Sequence, residues 1–428
     1  MGIKEAVIYL DNQLNTYYAG QTVNGRIEYV FDSPKKVRGI HVKFKGEAHT
    51  EWSESKEETD DQGKSQTTDT THTGNEEYFQ ISYYLLGSNS GNEIEIPAGK
   101  QVYNFTCALP PVLPSSFEGP YGYVRYTIKV TLDRPWKFDQ ETKLAFTVIN
   151  ALDLNLNPSY KEPIHMQMEK TFCCFCCTSL PLSVDVRAPV SGYCPGQVIP
   201  IQIDVENKSN VELTLVKLFL RKIVTYRATS PSTAIKKTKD VILTIQQGPV
   251  QPGGTNHWNL TLEIPPMPPS NLVNCNIIDL DYDLKAECEV PFMHFNMKDK
   301  KYITIGTVPL IGLSGQNVPT APLSHDVLDN QPAVLPVSPG QPVQPNVPSA
   351  PGGDAAPGGW VVPGTAPGQP PYQSLYPTLT QPVYKESPYA ARTIQDRGDS
   401  NHVTITGVSN FAPYYPTYAA VQPPPLPQ

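Results

Sequence analysis

The sequence predicts an all-β protein in which two related β-sandwich domains are followed by a disordered, proline-rich tail. Three observations support this prediction. Apolar and polar residues alternate along many short segments up to about residue 310. Several landmarks of the first half recur in the same order in the second half. The last 110 residues, from Pro319 to Gln428, hold 23 of the 45 prolines.

The alternating segments are typical of half-buried strands. Examples are residues 25–31 (GRIEYVF), 126–130 (YTIKV) and 201–205 (IQIDV). No long window shows helical periodicity with capping residues, and proline and glycine interrupt the runs of valine, isoleucine, threonine and tyrosine. Antiparallel β-sandwiches are the natural architecture for such a chain.

The repeated landmarks predict two related domains. Residues 18–23 (YAGQTV) recur as 193–198 (YCPGQV), and residues 109–115 (LPPVLPS) recur as 264–270 (IPPMPPS). Each landmark precedes an alternating strand. We predict an N domain over 1–154, an interdomain linker over 155–178, a C domain over 179–312 and a tail over 313–428. Within the N domain, residues 53–77 are rich in Glu, Asp, Ser and Thr and are predicted to form a disordered loop.

Composition excludes several classes of function. The formal net charge of −8 argues against nucleic-acid binding, which needs a concentrated basic surface. No run approaches the ~20 apolar residues of a membrane span, and the first residues lack the pattern of a secretory signal, so we expect a cytosolic protein. No phosphate-binding loop, H-E-x-x-H or G-x-S-x-G motif is present. We therefore predict no enzyme activity, no cofactor and no metal site.

Four of the eight cysteines fall within five positions, at Cys173, Cys174, Cys176 and Cys177. A metal site is disfavoured because adjacent cysteines cannot easily point at one ion and no second cluster completes a tetrahedral set. Reduced thiols on an interdomain segment are the simpler interpretation. Lipidation of a cytosolic cysteine cluster between two phenylalanines is the alternative, since an acyl chain would add membrane affinity.

At these landmarks the chain resembles the α-arrestins, the arrestin domain-containing proteins. The resemblance covers about residues 1–312, and it is carried by the segments YAGQTVNGRIEYVF, LPSSFEGPYGYVRYTIKV, YCPGQVIPIQIDVEN, IPPMPPS and IGTVPLIG. It implies two tandem arrestin-type, immunoglobulin-like β-sandwich domains. It also implies an adaptor that links membrane receptors or transporters, through their cytoplasmic segments, to ubiquitin ligases and endosomal sorting. Such a protein is expected in the cytoplasm, peripheral to the plasma membrane and endosomes.

The tail carries two copies of a P-[TS]-A-P peptide. One copy is Pro319, Thr320, Ala321 and Pro322, and the second is Pro348, Ser349, Ala350 and Pro351. Chance placement of the tail's own residues would give about 0.07 matches. Prolines with preset φ fit shallow apolar grooves, and the hydroxyl offers a hydrogen bond. The peptide looks like the one that binds the ubiquitin-E2-variant subunit of ESCRT-I, and two copies would strengthen a weak contact.

The Pro-Pro-x-Tyr motif that α-arrestins offer to WW domains of HECT-type ubiquitin ligases is degenerate here. Pro382 and Tyr384, and likewise Pro413 and Tyr415, keep a proline and a tyrosine two positions apart but lack the first proline. For these pairs, weakened WW binding and a solvated linker are open alternatives. For the whole protein, the alternative to a trafficking adaptor is a structural or vesicle-associated scaffold whose tail is only a spacer.

Overall fold

The computed structural model describes residues 3–59, 65–89, 91–174, 177–291, 294–311 and most of 381–418, the last range without 390, 396–398, 401–402 and 408–409. These residues form strands and three short 3-10 helices, Leu154–Leu156, Pro158–Lys161 and Ser270–Leu272. The prediction of an all-β chain with two tandem sandwich domains is confirmed.

The N domain packs a three-stranded sheet, in the order β1-β3-β8, on a larger one in the order β2-β11-β10-β5-β6. Apolar residues that alternate along the strands, such as Ile27 and Phe44, fill the space between the sheets and have no exposed surface. The strands are β1 (Ile3–Leu10), β2 (Thr16–Tyr18), β3 (Thr22–Phe31), β4 (Lys35–Val37), β5 (Gly39–Thr59), β6 (Ser65–Gly87), β7 (Ile94–Ile96), β8 (Gly99–Ala108), β9 (Phe117–Gly119), β10 (Gly122–Asp133) and β11 (Gln140–Ile149).

The C domain repeats this plan, with one sheet in the order β12-β15-β17-β20 and the other in the order β16-β22-β21-β18-β19. Its strands are β12 (Ile164–Lys170), β13 (Cys173–Cys174), β14 (Cys177–Thr178), β15 (Leu182–Ala188), β16 (Gly192–Tyr193), β17 (Val198–Asn207), β18 (Leu215–Ala228), β19 (Ala234–Gln247), β20 (Thr255–Glu263), β21 (Ile278–Glu289) and β22 (Met297–Ile305).

The internal repeat has a structural counterpart at each landmark. Tyr126 donates a hydrogen bond to the Pro114 carbonyl at 2.6 Å, and Tyr282 donates the same bond to Pro268 at 2.8 Å. In the Gly-Gln turns, the backbone N–H of Tyr18 or Cys194 donates to the glutamine side chain three residues later, at 2.8 Å in both domains. The proline and glycine landmarks are therefore equivalent turns of two related folds.

Sequence analysis predicted a disordered loop over 53–77, of which 60–64 lie outside the described residues. The described residues of this range instead continue β5 to Thr59 and begin β6 at Ser65, and they form a two-stranded ribbon. The pairing runs as far as Thr59 opposite Ser65. Cross-strand side-chain hydrogen bonds replace a core: Ser53 bonds Thr71 at 3.0 Å, and Ser55 donates to Asp69 at 2.6 Å. Threonine and serine pairs of this kind stabilise a solvated ribbon that buries little apolar surface.

The two domains meet where β5, β10 and β18 come together. The Thr50 hydroxyl donates to the Arg227 carbonyl at 2.7 Å, and the Tyr121 and Tyr226 rings lie edge to face. Strands β10 and β21 both begin at this junction and run away from it, so each domain ends in a distal tip formed by the connection that follows. The linker after β11 is held by the C domain, since the backbone N–H of Leu152 donates to the Thr307 hydroxyl at 2.7 Å.

Candidate functional site

The described part of the tail is docked on the two domains. It forms five short strands: β23 (Val383–Glu386), β24 (Arg392–Thr393), β25 (Val403–Ile405), β26 (Asn410–Phe411) and β27 (Tyr414–Thr417). These residues are the part of the tail, predicted over 313–428, that the structure describes as packed on the body. Aromatic and aliphatic side chains explain this packing, because Ile394 and Tyr418 are almost fully buried against the body.

The two degenerate Pro-x-Tyr motifs lie on opposite strands of one antiparallel pair. Strand β23 pairs with β27, with Tyr384 opposite Pro416 and Lys385 opposite Tyr415. The Ser387 backbone N–H donates to the Pro413 carbonyl at 2.9 Å, which extends the contact beyond the strands. We call this two-stranded element, residues 382–387 with 413–417, the motif hairpin. Sequence analysis identified both motifs but not their pairing with each other.

Tyr415 is the buried anchor of the motif hairpin, with 1% of its surface exposed. Its hydroxyl donates to the Ser116 carbonyl at 2.8 Å. A hollow beside it is lined by Phe117 of the N domain and by Met267 of the C domain. Burial raises the pKa of Tyr415 well above its usual range, so the hydroxyl stays protonated as a donor. Any partner that binds this ring must first withdraw it from the junction.

Tyr384 of the motif hairpin and Tyr418, just after it, fasten the tail to β2 of the N domain and to the segment that closes the C domain. The hydroxyls of Tyr384 and Tyr18 lie 2.9 Å apart, and Tyr384 packs on a small cluster that includes Val308. Tyr418 donates its hydroxyl to the Thr307 carbonyl at 2.6 Å.

The tail backbone also reaches the second Gly-Gln turn. The Tyr418 backbone N–H donates to the Pro195 carbonyl at 2.9 Å. A Cβ placed on Gly196 would lie 2.1 Å from the Tyr418 carbonyl oxygen, and Gly196 has φ +82°. Glycine is therefore needed at this position for two reasons: the turn requires a positive φ, and the tail backbone approaches too closely for a side chain.

Beside the motif hairpin, three lysines stand in a row across the outer face of the large N-domain sheet. Lys129 of β10 is directly opposite Lys43 of β5 on one side and Lys143 of β11 on the other. Like charges directly opposite in a sheet are destabilising, so this lysine row requires counter-ions. It lines a cleft of about 650 Å³ together with Arg125 and residues of the tail.

The tail supplies one of the counter-ions. Asp399 lies 2.7 Å from the Lys143 ammonium and 3.5 Å from that of Lys129, and its side chain is 5% exposed. Glu141 pairs with Lys129 at 2.9 Å. Strand β25 then runs parallel to β11, with Val403 opposite Glu141. The tail therefore places the Asp399 carboxylate in the cleft just before it joins the sheet as strand β25.

Lys43, at the other end of the lysine row, is not paired with either of these acids. It makes no ion pair with any residue that the structure describes, and it is half-buried. Burial lowers its pKa, and the neighbouring Lys45 and Lys129 lower it further. The end of the lysine row at Lys43 is thus suited to an additional carboxylate or phosphate group.

A buried ion pair connects the lysine cleft with the domain junction. Arg125 donates two hydrogen bonds to Glu118, at 2.8 and 2.9 Å, and both side chains are almost completely buried. The same strand β9 receives the tail, because Arg392 donates to the Gly119 carbonyl at 2.9 Å. The bidentate geometry fixes this wall of the cleft.

The other predicted site residues are placed as follows. Both P-[TS]-A-P copies, from Pro319 to Pro322 and from Pro348 to Pro351, lie outside the described residues. Cys173 and Cys174 pair with β14 as a small hairpin, in which Cys174 is opposite Cys177, whereas Cys176 is outside the described residues. Their lipidation stays a prediction.

Sequence analysis missed the lysine row and Asp399. Alternation along β5, β10 and β11 gave the lysines one common face, but only the strand order makes them neighbours. Among the residues that the structure describes, no group of three or more His, Cys, Asp or Glu side chains is arranged to hold a metal ion. The same residues contain no helix long and apolar enough to cross a membrane.

Two tandem sandwiches with a tail docked at their junction define a protein of the arrestin fold. Residues 6–155 match the family model described as arrestin (or S-antigen), N-terminal domain, and residues 178–310 match the corresponding C-terminal domain. The chain belongs to the arrestin domain-containing proteins, the α-arrestin family.

The similarity to one relative extends through the tail. Arrestin domain-containing protein 17 of Caenorhabditis elegans is 30% identical, over 96% of this chain and 98% of its own length. Human arrestin domain-containing protein 4 is 29% identical over 73% of each chain. Mouse arrestin domain-containing protein 1 is 27% identical over 50% of this chain and 48% of its own.

Proposed function

We propose that this protein is a non-enzymatic trafficking adaptor. Its two domains bind cytoplasmic segments of membrane receptors or transporters, and its tail recruits WW-domain HECT ubiquitin ligases and the ubiquitin-E2-variant subunit of ESCRT-I. In this proposal the protein works in the cytoplasm, at the surface of the plasma membrane and endosomes. Membership of the arrestin domain-containing family supports the adaptor role.

The observation that carries the proposal is the docked tail. The peptide with both Pro-x-Tyr motifs is held at the domain junction, and the same tail puts Asp399 into the lysine cleft. An acidic cargo segment that enters the cleft competes with Asp399 for Lys129 and Lys143, and it finds Lys43 without an ion pair among the described residues. Cargo binding therefore favours release of the motif hairpin, which exposes Tyr384 and Tyr415 to a ligase.

The ESCRT-I arm rests on the two P-[TS]-A-P copies. Proline-rich peptides already sample the extended form in which such motifs are bound, so their ordering costs little. Two copies on one chain raise the effective affinity without new contacts.

The alternative is a structural or vesicle-associated scaffold whose tail is a spacer. A spacer has no need of an anchor buried as completely as Tyr415. The burial of this residue favours the adaptor over the scaffold.

The ligase arm is tested by measuring WW-domain binding to the full chain and to a synthetic peptide of residues 381–418. We expect the free peptide to bind more tightly than the wild-type chain, because docking masks the motifs. Tyr384→Ala with Tyr415→Ala in the peptide should abolish binding, and Tyr389→Ala, outside both motifs, should not. A peptide that fails to bind any WW domain would refute the ligase arm.

The ESCRT-I arm is tested separately with the purified ubiquitin-E2-variant domain and the full chain. Pro319→Ala with Pro348→Ala should reduce binding strongly. A matched double variant, Pro332→Ala with Pro336→Ala, changes two tail prolines outside the motifs and should leave binding intact. Equal affinities for all three proteins would refute this arm.

A further inference from the structure

The connection between β10 and β11, residues 134–139, forms the distal tip of the N domain. Strand β10 starts at the domain junction with Gly122 and has 12 residues, so its far end is about 36 Å from the junction at ~3.3 Å per residue. Arg38, at the start of β5, lies beside this connection, because it donates a hydrogen bond to Asp133 at 2.9 Å. We call Arg38 and residues 134–139 the distal tip.

The distal tip presents two large aromatic side chains to solvent. Trp136 is 99% exposed and Phe138 is 77% exposed. Single exposed apolar residues are normal on protein surfaces. A fully exposed tryptophan two positions from an exposed phenylalanine, on a projecting end of a domain, is a different arrangement because it concentrates apolar surface at a convex point.

The tip is a structured turn. The Arg134 backbone N–H donates to the Asp139 carboxylate at 3.2 Å, and the Arg134 guanidinium donates to the Phe138 carbonyl at 3.0 Å. Trp136 has φ +59°, a left-handed conformation that is costly for a bulky residue. The turn therefore holds the indole outward.

Basic side chains surround the aromatic rings. Arg38, Arg134 and Lys137 line the same hollow as Trp136 and Phe138. Asp133 pairs with Arg38, and the Asp139 carboxylate accepts from the Arg134 backbone, so the three cations exceed the two acids by one charge. Lys137 makes no ion pair with the described residues. Indole rings favour the headgroup level of a bilayer, and nearby lysine and arginine are attracted to anionic lipids.

The C domain repeats the arrangement at the equivalent connection, after β21. Phe295 is 90% exposed there, and the Lys170 ammonium donates to its carbonyl. The Cys173–Cys174 hairpin lies close by, because Phe172 packs edge to face on His294. Both domains therefore end in an exposed aromatic beside a cation, at positions related by the internal repeat.

We propose that the distal tip of the N domain is a membrane-contact surface, which inserts Trp136 and Phe138 at the headgroup level of an anionic bilayer. This inference deepens the proposed function by naming the surface that meets the membrane. A convex aromatic tip with cations at its base fits a soft, flat, negatively charged surface better than it fits a protein groove.

The test is sedimentation of the full-length chain with vesicles of phosphatidylcholine containing about one third phosphatidylserine. Trp136→Ala with Phe138→Ala should lower the partition coefficient at least tenfold, and Lys137→Glu should lower it only on the anionic vesicles. Leu156→Ala removes an exposed leucine outside the tip and serves as the matched control. Because all four side chains are exposed, unchanged melting temperatures are expected, and they confirm folding.

Direct contact is measured with brominated lipids, which quench indole fluorescence. The wild-type chain should show a quenched component that Trp136→Phe removes while vesicle binding persists, since an aromatic ring remains. Equal partition of the wild type and the double alanine variant, or no vesicle binding by the wild type, overturns the inference. A tip variant that loses only a protein partner also overturns it. None of these outcomes alters WW-domain or ESCRT-I binding, so failure here is distinguishable from failure of the adaptor proposal.

Discussion

Replacing Tyr415 should undock the tail while leaving both domains folded. A tyrosine ring buries about 150–250 Å², and large-to-small changes at such sites cost about 3–5 kcal/mol. Tyr415 is 1% exposed and donates one hydrogen bond, so Tyr415→Ala should weaken docking by about 3 kcal/mol, or more than a hundredfold. Tyr415→Phe removes only the hydroxyl and should cost about 1 kcal/mol, roughly fivefold.

Amide hydrogen exchange measures this docking directly. The amides of β25 should lose protection in Tyr415→Ala by the same factor as the docking constant, because β25 pairs with β11 of the body. The amides of β27 should also lose protection, because a two-stranded pair such as β23 with β27 is marginally stable in water once it has left the body. Amides of β10, deep in the N domain, should not change. Tyr414→Ala is the matched control, since Tyr414 is adjacent to Tyr415 in sequence but its side chain is only partly buried. Unchanged protection of β27 in Tyr415→Ala, or equal loss in Tyr414→Ala, would refute the reasoning.

Three further predictions concern the cleft, the turn and the response to acid. Asp399→Asn should weaken docking about tenfold and reduce its salt dependence, because the buried Lys143 loses its counter-charge. Hydrogen exchange of the β25 amides at two salt concentrations measures this effect, and an unchanged exchange rate contradicts it. Gly196→Ala should release the Tyr418 backbone, whose carbonyl lies 2.1 Å from the added Cβ, and trypsin should then cut the tail faster than in wild type. Glu287 has a pKa lowered to about 2 in spite of burial, by side-chain hydrogen bonds from Lys285, Asn296 and Lys298. Because the pKa of Glu287 is lower in the folded than in the unfolded chain, the Glu287 carboxylate stabilises the fold above about pH 4.5, and this stabilisation is lost as the pH falls toward 2. Glu287→Gln should therefore flatten the acid limb of the curve of unfolding free energy against pH. An unchanged acid limb would argue against this role of Glu287.

The body of the fold was predictable because its signals are local or repeated. Alternation identified the strands, and the recurrence of the proline and glycine landmarks identified two domains with equivalent turns. The ribbon over 53–77 was missed because its stability comes from cross-strand pairs such as Ser53 with Thr71, which composition does not reveal.

The docked tail was missed for a different reason. Its contacts join residues far apart in the chain, such as Tyr415 with Ser116 and Asp399 with Lys143. Proline content averaged over the whole tail also concealed the aromatic residues near its end. The lysine row required the strand order, because only the register brings Lys43 next to Lys129.

Docking of residues 381–418 gives the chain a built-in competitor. The covalent link through residues 312–380 keeps this segment at an effective concentration on the order of millimolar, whatever the protein concentration in the cell. A cargo peptide or WW domain must outcompete that local supply, so weak binders are filtered out. A protease cut within the link would leave the segment bound at first. Once the segment dissociated, it would be diluted into the cell, and weak ligands could then bind the vacated site.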